Sequence, residues 1–529
     1  MRRPAGIEAS AVASPSVAPS QEDPAVAGAS RLLGGAWGRH ATGRTSRWWT
    51  PLRVVLVLTV LTSVLGYLAK APCRTHPWAD EYQYTRVCYT DVFALYYAEQ
   101  LGSKLDAAGA PAGRVSVPYR DHPVEYPAVI GGLMWTAAEI TNLVHPDEPR
   151  ATANGVVDGR GKTFFDITAL LLTLFALATT WAVARLAGRR RIWDAAMFAL
   201  APTLLFHGFT NWDLAAVGLT MLGMWAWSRH WPRQLGPAVA GLFLGVATAT
   251  KLYPLLIVLA LLFLCWRAAR MWSWVVCAAT TVLGFVIAYT PAWILSAQTP
   301  DYLRRTAFQF PDASCPTAHY LPGWRWFWSL NTTRPSDWDS LWFLGEHARG
   351  APLDRVDCGQ SPVWLNFGVA LSTVVVVGLV ALLVLGARRR PRLAQVAFLL
   401  VAGFLLVNKV DSPQYVLWLV PLAVLARPRW PAFLAWQGAE VALLFARFYF
   451  FVGNDRPGQG VPIEVFFTAV VLRDIALVVV VALVVREVLR PEHDVVRAAG
   501  VDDPAGGVLD GAPDRWPRRR SVAARPAGA

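Results

Sequence analysis

The residues able to do chemistry gather in one polar stretch of an otherwise apolar chain. Between Cys73 and Pro127 stand Cys88-Tyr89-Thr90-Asp91 and, further on, Asp121-His122-Pro123-Val124-Glu125-Tyr126-Pro127. Asp91 opens an apolar-aromatic run, Asp91-Val92-Phe93-Ala94-Leu95-Tyr96-Tyr97, suited to a short helix lying along a membrane interface, where aromatic rings concentrate. A carboxylate held there can take a proton from a hydroxyl while a lipid-linked reactant stays in the bilayer. Partial desolvation would raise its pKa toward neutrality, as a general base requires. The plainer reading of Asp91 is a helix N-terminal or solvated loop residue. Asp121, His122 and Glu125 fall within five positions of one another. They could bind a sugar, a metal or one another, or else form a polar flank to the next hydrophobic segment. Asp80 and Glu81 read as ordinary loop acids.

Cationic and polar candidates for a phosphate or sugar lie elsewhere. Lys251, in Thr250-Lys251-Leu252-Tyr253-Pro254, sits between hydrophobic runs with no acidic neighbour in sequence. It either meets a phosphate or snorkels to the interface. Lys409, in Asn408-Lys409-Val410-Asp411-Ser412-Pro413-Gln414-Tyr415, suits a phosphate site built with helix-end amides, or a local pair with Asp411. His207, Asn211 and Asp213 stand between two apolar runs, where a charge costs about 2.5 to 3.5 kcal/mol at midplane and is usually paired or functional. Arg304 and Arg305 share a Trp-rich stretch with Arg325, Arg334, Trp324, Trp326, Trp328, Trp338 and Trp342. Arginine binds phosphate, and indoles stack on sugars but also anchor proteins at interfaces. Tyr126, Asn211 and Gln414 complete the substrate-binding candidates. Asp337-Trp338-Asp339 matches a bare Asp-x-Asp, a pattern too common to carry weight. Glu440, Arg447, Arg473 and Asp474 read as structural ion pairs. Phosphate loops, Gly-x-Gly-x-x-Gly, His-Glu-x-x-His and Cys-x-x-Cys are absent.

The elements that must position these residues are membrane helices. The 529 residues are 55% hydrophobic, with mean hydropathy +0.36, a composition that fits a polytopic membrane protein. Hydrophobic segments fall near 52–70, 127–146, 163–187, 192–209, 213–228, 236–250, 253–267, 272–296, 363–386, 393–408, 414–427, 430–452 and 464–487. The net charge of +13 comes mostly from arginines between them, which read as cytoplasmic anchors and not as a nucleic-acid surface. They are Arg189-Arg190-Arg191, Arg229 with Arg233, Arg267 with Arg270, Arg388-Arg389-Arg390 with Arg392, and Arg427 with Arg429.

This places the loops 72–126 and 297–362 outside. One parity conflict remains: if 127–146 crosses fully, the Arg189 cluster is on the wrong side. About 12 spans are expected, with 11 to 13 open. The sequence predicts an all-α membrane domain over 51–490, flanked by disordered basic cytoplasmic tails at 1–50 and 491–529. Cys73 and Cys88 share one outer loop, and Cys315 and Cys358 share the other. They suggest disulfides, within each loop or across the two, in an oxidising compartment.

Several of these motifs, taken in order, resemble glycosyltransferase family 87. They are Asp91 with Tyr96-Tyr97, Val117-Pro118-Tyr119, Val124-Glu125-Tyr126-Pro127, Ala201-Pro202 leading to Asn211-Trp212-Asp213, Thr250-Lys251-Leu252-Tyr253-Pro254, and Ser412-Pro413-Gln414-Tyr415 continuing to Leu422. The likeness spans roughly residues 50 to 425. It implies a GT-C-like helical bundle and an inverting transferase. The donor would be a polyprenyl-phosphate sugar, usually mannose, used on the outer face; the acceptor expected for such a chain is a cell-envelope glycolipid or glycan. It implies Asp91 as the catalytic carboxylate; beside it, His122 and Glu125 are read from their position as orienting the acceptor or supporting Asp91. No cofactor is called for, and a divalent cation is compatible. Two departures mark a divergent branch. Gln414 and Tyr415 stand where the family often has histidines, and Asn211-Trp212-Asp213 replaces a Gly-Gln. The rival readings are a flippase or transporter of a lipid-linked saccharide, which predicts inverted repeats that are not evident, and a non-catalytic envelope-assembly protein.

Overall fold

The computed structural model describes residues 23–32, 48–76, 78–99, 101–105, 111–145, 159–456, 458–498, 500 and 502–515. Almost all of the regular structure is helical. In chain order the helices that frame the molecule begin with α1 (Pro24–Leu32), α2 (Pro51–Thr75), α3 (Asp91–Ala98), α4 (Ala128–Val144), α5 (Gly159–Ala187), α6 (Ala195–Ala199) and α7 (Pro202–His207). They continue with α8 (Asp213–Trp227), α9 (Leu235–Thr248), α10 (Pro254–Arg267), α11 (Met271–Ala297), α12 (Gly323–Thr333) and α13 (Val363–Gly386). The last are α14 (Leu393–Val407), α15 (Val416–Ala426), α16 (Trp430–Asp455) and α17 (Ile463–Leu489). Five of them, α2, α5, α11, α13 and α17, are long and apolar enough to cross a membrane, and the protein is a multi-pass membrane protein.

The chain runs up and down between two faces. One face collects the arginine clusters. There Arg191 pairs with Asp194 at 2.7 Å, Arg392 with Asp494 at 2.7 Å and Arg427 with Glu487 at 3.0 Å. The other face carries α3, the ends of α7, α9 and α14, and the long connection between α11 and α13. Among the described residues, twelve segments pass between the faces: α2, α5, the broken α6–α7 pair, α8 to α11, and α13 to α17.

Their packing agrees with that order. Gly241 and Gly245 of α9 meet Thr280 and Thr281 of α11 in parallel register, and a Cβ on either glycine would stand 2.0 or 2.2 Å from its neighbour. Small residues allow such close approach between membrane helices.

α4 settles the parity conflict, because both its ends lie on the face that carries α3. At its start, Val129 N–H donates to the Ala249 carbonyl at the end of α9 (3.1 Å). At its other end, Arg160 donates to the His145 carbonyl (2.7 Å) and to Asn142 (2.8 Å), and the His145 ring meets Thr163 (2.8 Å). These α5 residues lie beside the end of α2, where Asp166 binds Arg74 and Tyr67. With 17 residues α4 is about 25 Å long. It lies along one face and does not cross, so α5 starts where α2 ends and the Arg189 cluster falls in line with the others.

The expectation of disordered tails is corrected where the chain is described. Asp23, just before α1, accepts from the Trp430 N–H at 2.9 Å. Beyond Arg490, the chain folds back under the arginine face. Asp494 and Asp503 are buried, Asp514 pairs with Arg267 at 2.6 Å, and the Trp227 indole donates to the Gly506 carbonyl at 2.9 Å. Buried arginines attract this otherwise polar segment, and composition alone hides that. Residues 1–22, 33–47 and 516–529, with Arg2, Arg3, Arg39, Arg44, Arg47 and Arg518-Arg519-Arg520, lie outside the described residues.

Candidate active site

A cavity of about 720 Å³ opens on the face that carries α3. Three stretches supply its floor and walls: the first polar loop with α3, the helix ends around 207–211, 251–253 and 408–418, and the segment 327–338. α16 closes one side with Leu444, Arg447, Phe448 and Phe451.

Asp91 reaches this cavity because Thr90 caps α3. The Thr90 hydroxyl accepts from Val92 N–H (3.2 Å) and itself donates to the Phe209 carbonyl (2.7 Å), while Asp91 N–H donates to the Thr210 carbonyl (2.8 Å). The loop is therefore stitched to the end of α7. The Asp91 carboxylate is half-buried and accepts from the Tyr89 hydroxyl at 2.8 Å and from Tyr126 at 3.5 Å. Burial pushes its pKa up to about 6. The Tyr89 hydrogen bond works against that rise, and Glu125 adds to it. Tyr89 is fixed in turn: the buried ammonium of Lys70 donates to its carbonyl at 2.7 Å, and the preceding Cys88 is disulfide-bonded to Cys73. Cys315 and Cys358 form the second disulfide, also within its own loop. Glu125 lines the cavity near Glu99, whose carboxyl burial holds well above its usual range.

Four cationic side chains line the same cavity: Lys251, Arg334, Lys409 and Arg447. Lys251 is paired with the fully buried Asp213 at 3.0 Å, and Asp213 takes its own backbone hydrogen bond to Asn211. The Lys251 ammonium also faces the rings of Tyr126 and Tyr415, at 4.9 and 5.2 Å. Arg447 is paired with buried Asp339 and stacks on Phe451 at 5.1 Å. Lys409 has neutral partners, the Arg334 carbonyl at 2.6 Å and the Asn366 side-chain oxygen at 2.7 Å. Burial and the nearby Arg334 guanidinium push its pKa down to about 8. Asp411, the local partner considered from sequence, pairs instead with Arg473 at 3.0 Å. The Asp-x-Asp pattern is divided, Asp337 facing the cavity and Asp339 buried on Arg447.

Asp91, Glu125, Tyr126, Asn211, Lys251, Lys409 and Gln414 are thus brought together, with Asp213 immediately behind Lys251. His122, Arg304 and Arg305 are not. The His122 ring is buried against the Ser116 hydroxyl at 2.9 Å and does not line the cavity, so it stands away from the place beside Asp91 that the sequence suggests. Arg304 turns onto the Thr299 carbonyl (3.0 Å) and the Tyr320 ring (5.4 Å), and Arg305 also lies off the cavity wall. Asp121 closes its own turn by accepting from Val117 N–H at 2.9 Å. Lys70 and Tyr89 escaped the sequence reading. The signal for Lys70 was its place as an ammonium in the final turns of an apolar helix. Among the described residues no three His, Cys, Asp or Glu side chains gather as a metal site.

The profile of glycosyltransferase family 87 matches residues 163–408. No curated protein matches the chain. Among solved structures, the chain is similar to the crystal structure of ArnT from Cupriavidus metallidurans bound to undecaprenyl phosphate. The TM-score is 0.38 and the identity 14%, over 83% of this chain and 78% of that one.

Proposed function

We propose that this membrane protein, which carries a glycosyltransferase family 87 region over residues 163–408, moves a sugar from a polyprenyl phosphate to a hydroxyl group of a cell-envelope glycolipid or glycan. Mannose is the first candidate for the sugar, and the outer face of the membrane the place of reaction. The observation that carries this reading is the meeting of Asp91, Glu125, Lys251 and Lys409 in one aromatic-walled cavity. Arginine clusters on the opposite face favour an outward cavity under the positive-inside rule, and two disulfides in connections on the cavity's face fit an oxidising compartment.

In the proposed reaction the acceptor oxygen attacks the anomeric carbon and its proton passes to an Asp91 carboxylate oxygen. The carbon–oxygen bond to the phosphate breaks, and polyprenyl phosphate leaves with the bonding electrons. Configuration inverts in a single displacement. Phosphate is a competent leaving group, so the carboxylate base is the group that needs tuning, and a half-buried Asp near pKa 6 suits it. Glu125 and Tyr126 orient the acceptor. No cofactor enters this scheme.

Asp91→Asn is expected to lower transfer by roughly 10²- to 10⁴-fold without loss of folded protein. The assay is radiolabelled polyprenyl-phosphate mannose with a membrane acceptor extract, read as labelled product. Near-normal transfer by the variant would remove Asp91 from the mechanism. Movement of the donor across the membrane without product would favour a flippase.

A further inference from the structure

We propose that the donor's phosphate is bound at one pole of the cavity, by Lys409 and Arg334, and not by Lys251 or Arg447. The assignment rests on the reading of the protein as a polyprenyl-phosphate transferase. It comes from which of the four cations already has an anion. Lys251 has Asp213, whose side chain is fully buried, and Arg447 has Asp339, equally buried. Drawing either cation toward a ligand would leave a carboxylate buried without its partner, a strongly unfavourable change.

Lys409 and Arg334 carry no such cost. The Lys409 ammonium rests on two neutral oxygens, and among the described residues the Arg334 guanidinium, which is exposed, has no hydrogen bond or ion pair. The carboxylates nearest this pole are committed elsewhere. Asp354 caps α13 by accepting from Trp364 N–H (3.1 Å) and Leu365 N–H (2.8 Å). Asp337 accepts from Trp338 N–H (2.9 Å) and the Ser412 hydroxyl (3.3 Å).

Two like charges therefore share this pole with neither in an ion pair, Asp354 acting on Lys409 only through its field. The backbone imposes this, since the Arg334 carbonyl is itself a ligand of Lys409. A phosphate placed between them relieves their mutual repulsion and gains a guanidinium, which fits phosphate oxygens in a planar fork, together with a point-charge ammonium. Asn366 keeps the ammonium aimed, its own amide donating to the Thr332 carbonyl at 2.8 Å. The cavity then divides by function. Lys409 and Arg334 take the leaving phosphate, Asp91 and Glu125 face the acceptor, and the Lys251–Asp213 pair is an internal brace between them.

The test is a titration of the full-length protein with undecaprenyl phosphate, followed by tryptophan fluorescence, with undecaprenol as the uncharged control. Trp328, Trp338 and Trp418 line the cavity and report occupancy. Arg334→Gln is the deciding variant, because its side chain holds nothing in place. It is expected to weaken undecaprenyl phosphate binding by roughly 10- to 100-fold and leave undecaprenol binding unchanged. Lys409→Gln should do the same, and Arg334→Lys should recover part of the loss. If Lys409→Gln fails to fold, Arg334→Gln alone decides. Unchanged affinity for undecaprenyl phosphate in Arg334→Gln, with tight binding by the wild type, would overturn this assignment and leave the transferase reading standing. Failure of the wild type to prefer undecaprenyl phosphate over undecaprenol would overturn both.

Discussion

Asp91 is held by a tyrosine and not by a cation, and this fixes how the site should respond to pH. Burial raises its pKa to about 6, while the Tyr89 hydroxyl, donating at 2.8 Å, pulls it back down. A general base works as the carboxylate, so transfer should rise as pH climbs through about 6 and fall away below it. Tyr89→Phe removes a hydrogen bond that favours the charged form. The acid limb of the pH–rate profile should then move upward by roughly half to one pH unit, the equivalent of one such bond. An unmoved or lowered limb would separate Tyr89 from the titration. Asp91 and Glu125 were legible because they stand as acids beside apolar runs, where a charge needs a reason. The Asp213–Lys251 pair was not, since Asp213 opens α8 while Lys251 stands in the turn between α9 and α10, and the two meet only after folding. Arg447 looked like a structural ion-pair residue, and it is one, but it also lines the cavity.

At the scale of elements, apolar runs locate helices far better than they locate crossings. The segment at 127–146 reads as a span by composition, yet α4 begins beside Ala249 and ends beside Arg160, on one face. Length does not decide the matter, because α8 to α10 are shorter still and their ends reach opposite faces. Contacts at the two ends decide it, and a sequence contains none of them. A reporter fused after His145 should therefore lie on the same side as one fused within the first polar loop, and opposite to one fused after Arg189. Alkaline phosphatase and green fluorescent protein fusions, active on opposite sides of the membrane, provide the readout. A reporter at His145 on the side of Arg189 would mean that α4 crosses. The arginine clusters, by contrast, were read correctly as one face, because their charge acts at the membrane boundary whatever the helices do inside it.

Across the whole molecule, the arginine face is closed by the stretch 491–515. The 491–515 stretch has the Pro, Gly and charge content of a solvated tail, and composition gave no reason to fold it. The reason lies in the bundle. Arg392 opens α14 with its guanidinium buried, donating to the Leu425 and Ala426 carbonyls at the end of α15 at 2.8 and 2.6 Å. A buried guanidinium surrounded only by carbonyls is costly, and Asp494 supplies the missing charge through contacts of 2.7 and 3.1 Å. Asp503 adds a hydrogen bond from Leu393 N–H at 2.8 Å, and Asp514 does for Arg267 what Asp494 does for Arg392. The tail thereby ties α10, α14 and α15 together at the face opposite the cavity. Asp494→Ala removes one member of a buried pair and should destabilise the protein by about 3 to 5 kcal/mol. Asp301→Ala breaks an exposed pair with Arg304, at 3.5 Å, and should cost at most about 1 kcal/mol. Thermal unfolding of both variants in the same detergent separates the cases. A marked fall in melting temperature confined to Asp494→Ala is expected, whereas equal melting of the two would show that the tail merely rests on the bundle.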